Sequence, residues 1–77
     1  MNNSTDIVIH INESLDNQRR EEFSADVGNI QGVISADLKE KRRHLMIVSF
    51  NPLKTKAVDV LENIRKNGTA AQLVAWL

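Results

Sequence analysis

Residues 23–38, FSADVGNIQGVISADL, decide the architecture. Phe23, Val27 and Ile30 recur at steps of four and three, which draws one apolar stripe along an amphipathic helix. Gly32 follows at a helix-terminating position. Residues 33–38 then read as a strand that buries Val33 with Ala36 or Leu38. The stripe extends back to about residue 16, with Arg19, Arg20, Glu21 and Glu22 on the polar face. Gly28 falls inside this helix and costs about 1 kcal/mol relative to Ala, a cost that close approach to a neighbouring element would offset.

Further strands and a second helix flank this unit. Residues 6–12 alternate, with Ile7, Ile9 and Ile11 on one side and Val8, His10 and Asn12 on the other, the pattern of a strand with one buried face. Ser14 to Asp16 offer helix N-caps. After residue 38 the run Lys39-Glu40-Lys41-Arg42-Arg43 is too charged to bury and reads as a hairpin. Residues 44–50 form a strand with Met46, Val48 and Phe50 inward and Leu45, Ile47 and Ser49 outward, stopped by Asn51-Pro52. Thr55 is the expected cap of a second helix whose inward residues are Ala57 or Val58, Leu61 and Ile64, with Asn67-Gly68 ending it. Residues 70–76 close the order, with Ala71, Leu73 and Ala75 opposing Gln72, Val74 and Trp76. The order βαββαβ predicts a ferredoxin-like α+β sandwich: a four-stranded antiparallel sheet, first and third strands central, with two helices on one face.

Seventy-seven residues make one domain, 1–77, with a polar start over residues 1–5. Ten basic and ten acidic residues cancel, which disfavours a dedicated nucleic-acid binder. There is no cysteine, so neither disulfides nor thiolate metal clips are available. No apolar run reaches the roughly 20 residues that span a bilayer, and the polar start lacks an apolar signal core. A cytoplasmic protein is expected.

With these elements placed, the chain resembles the heavy-metal-associated domain family of copper chaperones, mercury carriers and metal-pump N-terminal domains. The resemblance covers roughly residues 7–74. It is carried by Phe23, Val27 and Ile30 leading to Gly32-Val33, then Ala36-x-Leu38, Val48-x-Phe50-Asn51-Pro52 and Ile64-x-x-x-Gly68. That family's hallmark is Gly-Met-x-Cys-x-x-Cys at the entry to the first helix. Counting back from Gly32-Val33, its cysteine positions fall on Asp16 and Arg19, its Met on Ser14 and its Gly on Glu13. Soft ions such as Cu(I) select thiolates, so the resemblance carries no metal ligand onto these positions. Asp16 and Arg19 could instead pair with each other, and Asp16 suits a helix N-terminus. Thr69 stands where many members carry an aromatic residue or Lys.

His10 and His44 are the only imidazoles, and strand parity separates them, His10 on the open sheet face and His44 on the other side. Glu13, Asp16, Glu21 and Glu22 are expected to be solvated charges. No nucleophile elbow or phosphate-binding glycine loop occurs, so an enzyme is not expected. An RNA-recognition module shares the element order but needs aromatics on its central strands, and the first strand has none. The open face collects Val8, His10, Leu45, Ile47, Val74 and Trp76 as a candidate interface, and Lys39, Lys41, Arg42 and Arg43 form a candidate basic docking loop. The leading expectation is a metal-free, cofactor-free interaction module that binds a protein partner or forms a homodimer through the open face. The alternative is a metal carrier or sensor using His and carboxylate ligands; a nucleic-acid-binding module comes third.

Overall fold

The computed structural model describes residues 4–39, 41–42, 44–66 and 68–77. The expectations placed on Asn2, Asn3, Glu40, Arg43 and Asn67 lie outside the described residues. The element order is β1 (Thr5–Ile11), α1 (Asn17–Gly28), β2 (Val33–Leu38), β3 (Leu45–Phe50), α2 (Ala57–Lys66) and β4 (Ala71–Trp76). The strands form one antiparallel sheet in the order β2-β3-β1-β4, with β1 and β3 central. This is the ferredoxin-like sandwich that the sequence predicts.

The core lies between the sheet and the helices. Ile7, Ile9 and Ile11 of β1 and Met46, Val48 and Phe50 of β3 are all buried, so both central strands hold the alternation read from the sequence. Phe23 and Val27 of α1 and Val60 and Ile64 of α2 close over them, with Ala57 and Leu61 packed alongside. The inward stripe of α2 is thus Ala57, Val60, Leu61 and Ile64, spaced three, four and seven from its first member. Val60 was missing from the expected set, and Val58 is exposed. Leu15, in the loop before α1, is also buried. An isolated Leu between polar residues carries no period by which to find it.

Several helix boundaries differ from expectation. α1 ends at Gly28, with Asn29 as its C-cap, and Ile30 sits in the turn, half-buried against the core. A Cβ on Gly28 would meet nothing within 4 Å, so no close approach compensates for that glycine. The first bond of α2 runs from the Val60 N–H to the Lys56 carbonyl, which puts Lys56 at the cap position instead of Thr55. Thr55 instead packs on Gly32. That glycine has φ +90, and a Cβ there would lie 2.7 Å from Thr55 Cγ2 and 2.9 Å from Thr55 Cβ. Gly32→Ala is therefore expected to cost about 1–3 kcal/mol, from the left-handed backbone and the overlap together. A urea midpoint equal to the wild type's would contradict this packing.

Two bulges change which residues face the core. Val33 and Ser35 bracket one in β2, so Val33 and then Ala36 and Leu38 face inward although their numbers differ in parity, while Ile34 is exposed. Opposite Val8 and Ile9, β4 carries an extra residue: Ile9 pairs with Leu73 and Val8 with Ala75, leaving Val74 at the irregularity. Beyond it Trp76 pairs with Ile7, whose side chain points to the helices. Directly opposed residues share a face. Trp76 therefore belongs to the helix side of the sheet, at its exposed edge, and not to the open face where strict alternation placed it.

Candidate metal site

The loop from β1 into α1 is organised as a helix start. Asp16 is the N-cap of α1, and its Oδ1 accepts from the Arg19 N–H at 2.8 Å. The Arg19 guanidinium turns away and pairs with Glu22 Oε2 at 3.0 Å. The expected Asp16–Arg19 side-chain pair is thus replaced by a backbone cap and a pair one turn on. Neither group offers a soft ligand, so this loop does not fit Cu(I). Asp16→Ala is expected to lower stability by about 1 kcal/mol through the lost cap, measured by urea denaturation; Asp16→Asn should retain most of it, and equal losses in both variants would point away from capping.

The imidazoles depart furthest from expectation. The rings of His10 and His44 are stacked, with centroids 5.7 Å apart and planes 20° from parallel. Strand parity fails for His44 because it precedes β3, in the turn, where the pleat no longer dictates direction. Its ring is held instead by the backbone of β1: Nδ1 lies 2.8 Å from the Ile11 carbonyl oxygen. A carbonyl only accepts, so Nδ1 carries the proton and the neutral ring keeps its lone pair on Nε2. His10 Nδ1 lies 3.0 Å from Asn12 Oδ1, and with that oxygen as the acceptor the ring takes the same tautomer. Both rings are half-buried. They sit where β1 runs into the α1 loop, beside the start of β4, whose approach is tied by the Asn12 N–H to the Ala70 carbonyl at 3.0 Å.

Carboxylates do not complete a closed cluster. Glu13, Asp16, Glu21 and Glu22 are all exposed, and among the described residues no three His, Asp or Glu side chains are grouped to hold a metal. Thr69, buried at the same end, contributes no charge.

On the open face, Val8 pairs with Ile47 and His10 with Leu45, so four of the six candidate interface residues do lie together. Val74 sits at the β4 irregularity and Trp76 on the other side. The hairpin cations Lys39, Lys41 and Arg42 are exposed, and the hairpin base is pinned by Arg20 Nη2 donating to the Lys39 carbonyl at 3.1 Å. No helix among the described residues is long and apolar enough to cross a membrane.

The architecture is shared with solved structures over nearly its whole length. A copper-binding domain from a P-type ATPase superposes with a TM-score of 0.83 at 22% identity, covering 94% of this chain and 96% of that one. The chain has the heavy-metal-associated domain fold. Oxidised MerP from Ralstonia metallidurans CH34 matches this fold with a TM-score of 0.81 at 11% identity, over 94% and 99% of the two chains. The N-terminal domain of a potential copper-translocating P-type ATPase from Bacillus subtilis, in its Cu(I)-loaded state, matches with a TM-score of 0.81 at 18% identity, over 96% and 91%. The sequence matches no protein-family model and no curated protein sequence.

These findings correct the leading expectation of a metal-free interaction module. The solved structures that share the fold include a copper-binding domain of a P-type ATPase and the Cu(I)-loaded N-terminal domain of a potential copper-translocating P-type ATPase. The expected separation of His10 and His44 is overturned as well, since their rings stack, while the loop entering α1 still carries no thiolate.

Proposed function

We propose that this domain is a carrier or sensor of a borderline divalent ion, of the Zn²⁺ or Cu²⁺ class, with His10 and His44 as its ligands. One observation carries the proposal. Each imidazole spends Nδ1–H on an oxygen acceptor and leaves Nε2 available, within a pair whose centroids are 5.7 Å apart. Histidine ligands are ordinarily oriented by such an outer hydrogen bond, which fixes the tautomer and raises ligand basicity. Imidazole suits Zn²⁺, Cu²⁺ and Ni²⁺, whereas the absent thiolates are what Cu(I) selects.

Lone pairs lie in the ring planes, so stacked rings do not aim at one point. Zn–N bonds of about 2.0–2.1 Å set two tetrahedral ligand nitrogens about 3.3 Å apart. His44 is anchored to backbone and His10 to the exposed Asn12 side chain, so His10 and Asn12 together are the pair that shifts toward the ion. Two imidazoles leave the remaining positions to water, to an oxygen donor such as the exposed Glu13 in the adjoining loop, or to a receiving protein. An open coordination sphere favours exchange, which suits a carrier better than a structural site. No catalytic role is assigned, and the expected setting is the cytoplasm.

Competition against a chromogenic chelator tests the proposal. Wild-type protein should take up one equivalent of Zn²⁺ or Cu²⁺. His10→Ala and His44→Ala should each weaken uptake at least tenfold, in line with the cost of even outer-shell changes, with the fold checked by circular dichroism. Equal uptake by wild type and both variants would overturn the assignment.

A further inference from the structure

The open sheet face holds a groove of about 680 Å³, within the range of small-molecule sites. It is distinct from the imidazole pair, although Leu45 on its floor is the cross-strand neighbour of His10. The floor is aliphatic: Val8 from β1, Leu45 and Ile47 from β3, and Leu77, which follows β4 and is held by its N–H donating to the Asp6 carbonyl at 2.9 Å. One wall is the hairpin, which contributes Lys39, Lys41 and Arg42. Among the described residues, the opposing charge is a single carboxylate, Asp37. None of the three cations is in an ion pair among the described residues, where the pair found is Arg19–Glu22.

Two properties of this groove select a ligand. The cationic wall asks for an anion at one end. The floor asks for something that needs no hydrogen bonds, because the strand amides of β1 and β3 are committed to the sheet ladders. An extended peptide laid there would bury its own amides without partners, at a cost that an alkyl chain does not incur. With Trp76 on the other side of the sheet, the floor also lacks the aromatic surface on which a base or ring would stack.

We propose that this groove binds a long-chain carboxylate, with the alkyl chain over Val8, Leu45, Ile47 and Leu77 and the head group against Lys39, Lys41 and Arg42. The site is independent of metal binding by His10 and His44, so either can fail without the other.

The probe is dodecanoate below its micellar range, followed by amide chemical shifts and by titration calorimetry. Saturable one-to-one binding is expected, with shifts confined to the groove strands and the hairpin. Dodecyl maltoside, with the same tail and a neutral head, should bind about tenfold more weakly, and the exposed double variant Lys41→Glu/Arg42→Glu should lose about tenfold for dodecanoate while leaving dodecyl maltoside unchanged, as two surface ion pairs imply. Ile47→Glu should abolish binding of both, its fold verified by the urea midpoint. Absence of saturable dodecanoate binding, equal affinity for the two head groups, or indifference to the double variant would overturn the proposal. So would light scattering that shows the groove occupied by a second copy of the chain when no carboxylate is present.

Discussion

Phe23→Ala is expected to lower the free energy of unfolding by about 3–5 kcal/mol, the usual cost of truncating a fully buried Phe. The side chain is 2% exposed, on the face of α1 that covers the sheet. Its loss removes apolar burial and leaves a cavity that the central strands cannot fill, because their inward residues are already seated. A 77-residue domain has a total stability of about 4–12 kcal/mol at typical values per residue, so the substitution should remove about a quarter of it or more. Urea denaturation reads this as a large fall in midpoint at unchanged slope. A midpoint close to the wild type's would mean that α1 sits on the sheet by another face.

The second large effect is ligand-linked. An ion held by the native His10–His44 pair and not by the unfolded chain stabilises the fold by about 2.7 kcal/mol when its free concentration is 100 times the dissociation constant. Zn²⁺ at that excess should therefore raise the urea midpoint of the wild type. His10→Ala/His44→Ala should show no such rise. The sign with pH follows from competition: protons and metal contend for Nε2, so the metal-dependent part of the stability is present near neutrality and is lost on acidification. A Zn²⁺-dependent rise that persists in the double variant would place the ion elsewhere.

Most of the fold was legible because its periods are clean. Ile7, Ile9 and Ile11 and Met46, Val48 and Phe50 hold period two without interruption, and each set is buried as read. Phe23 and Val27 mark the face of α1 just as plainly. What escaped has local physical causes. The β4 irregularity opposite Val8 and Ile9 exchanges faces along the strand, and nothing in Ala-Gln-Leu-Val-Ala-Trp announces it. That one residue removed Trp76 from the open face. The imidazole pair escaped for a related reason. His44 lies just outside β3, and its direction is set by the Ile11 carbonyl, a contact across 33 residues that no local pattern encodes. The open-face groove was legible only in halves: the apolar residues and the basic hairpin each stood out, but their union depends on Leu77 and the strand register.

The most direct test is a long-range ¹H–¹⁵N spectrum of the two histidine rings, recorded near neutral pH with and without one equivalent of Zn²⁺. Without metal, both rings should show the Nδ1–H tautomer dictated by Ile11 O and Asn12 Oδ1. With metal, both Nε2 resonances should move together and saturate at one equivalent. An Nε2–H tautomer in either ring, or Zn²⁺ uptake that leaves either Nε2 unmoved, would contradict a metal site built on His10 and His44.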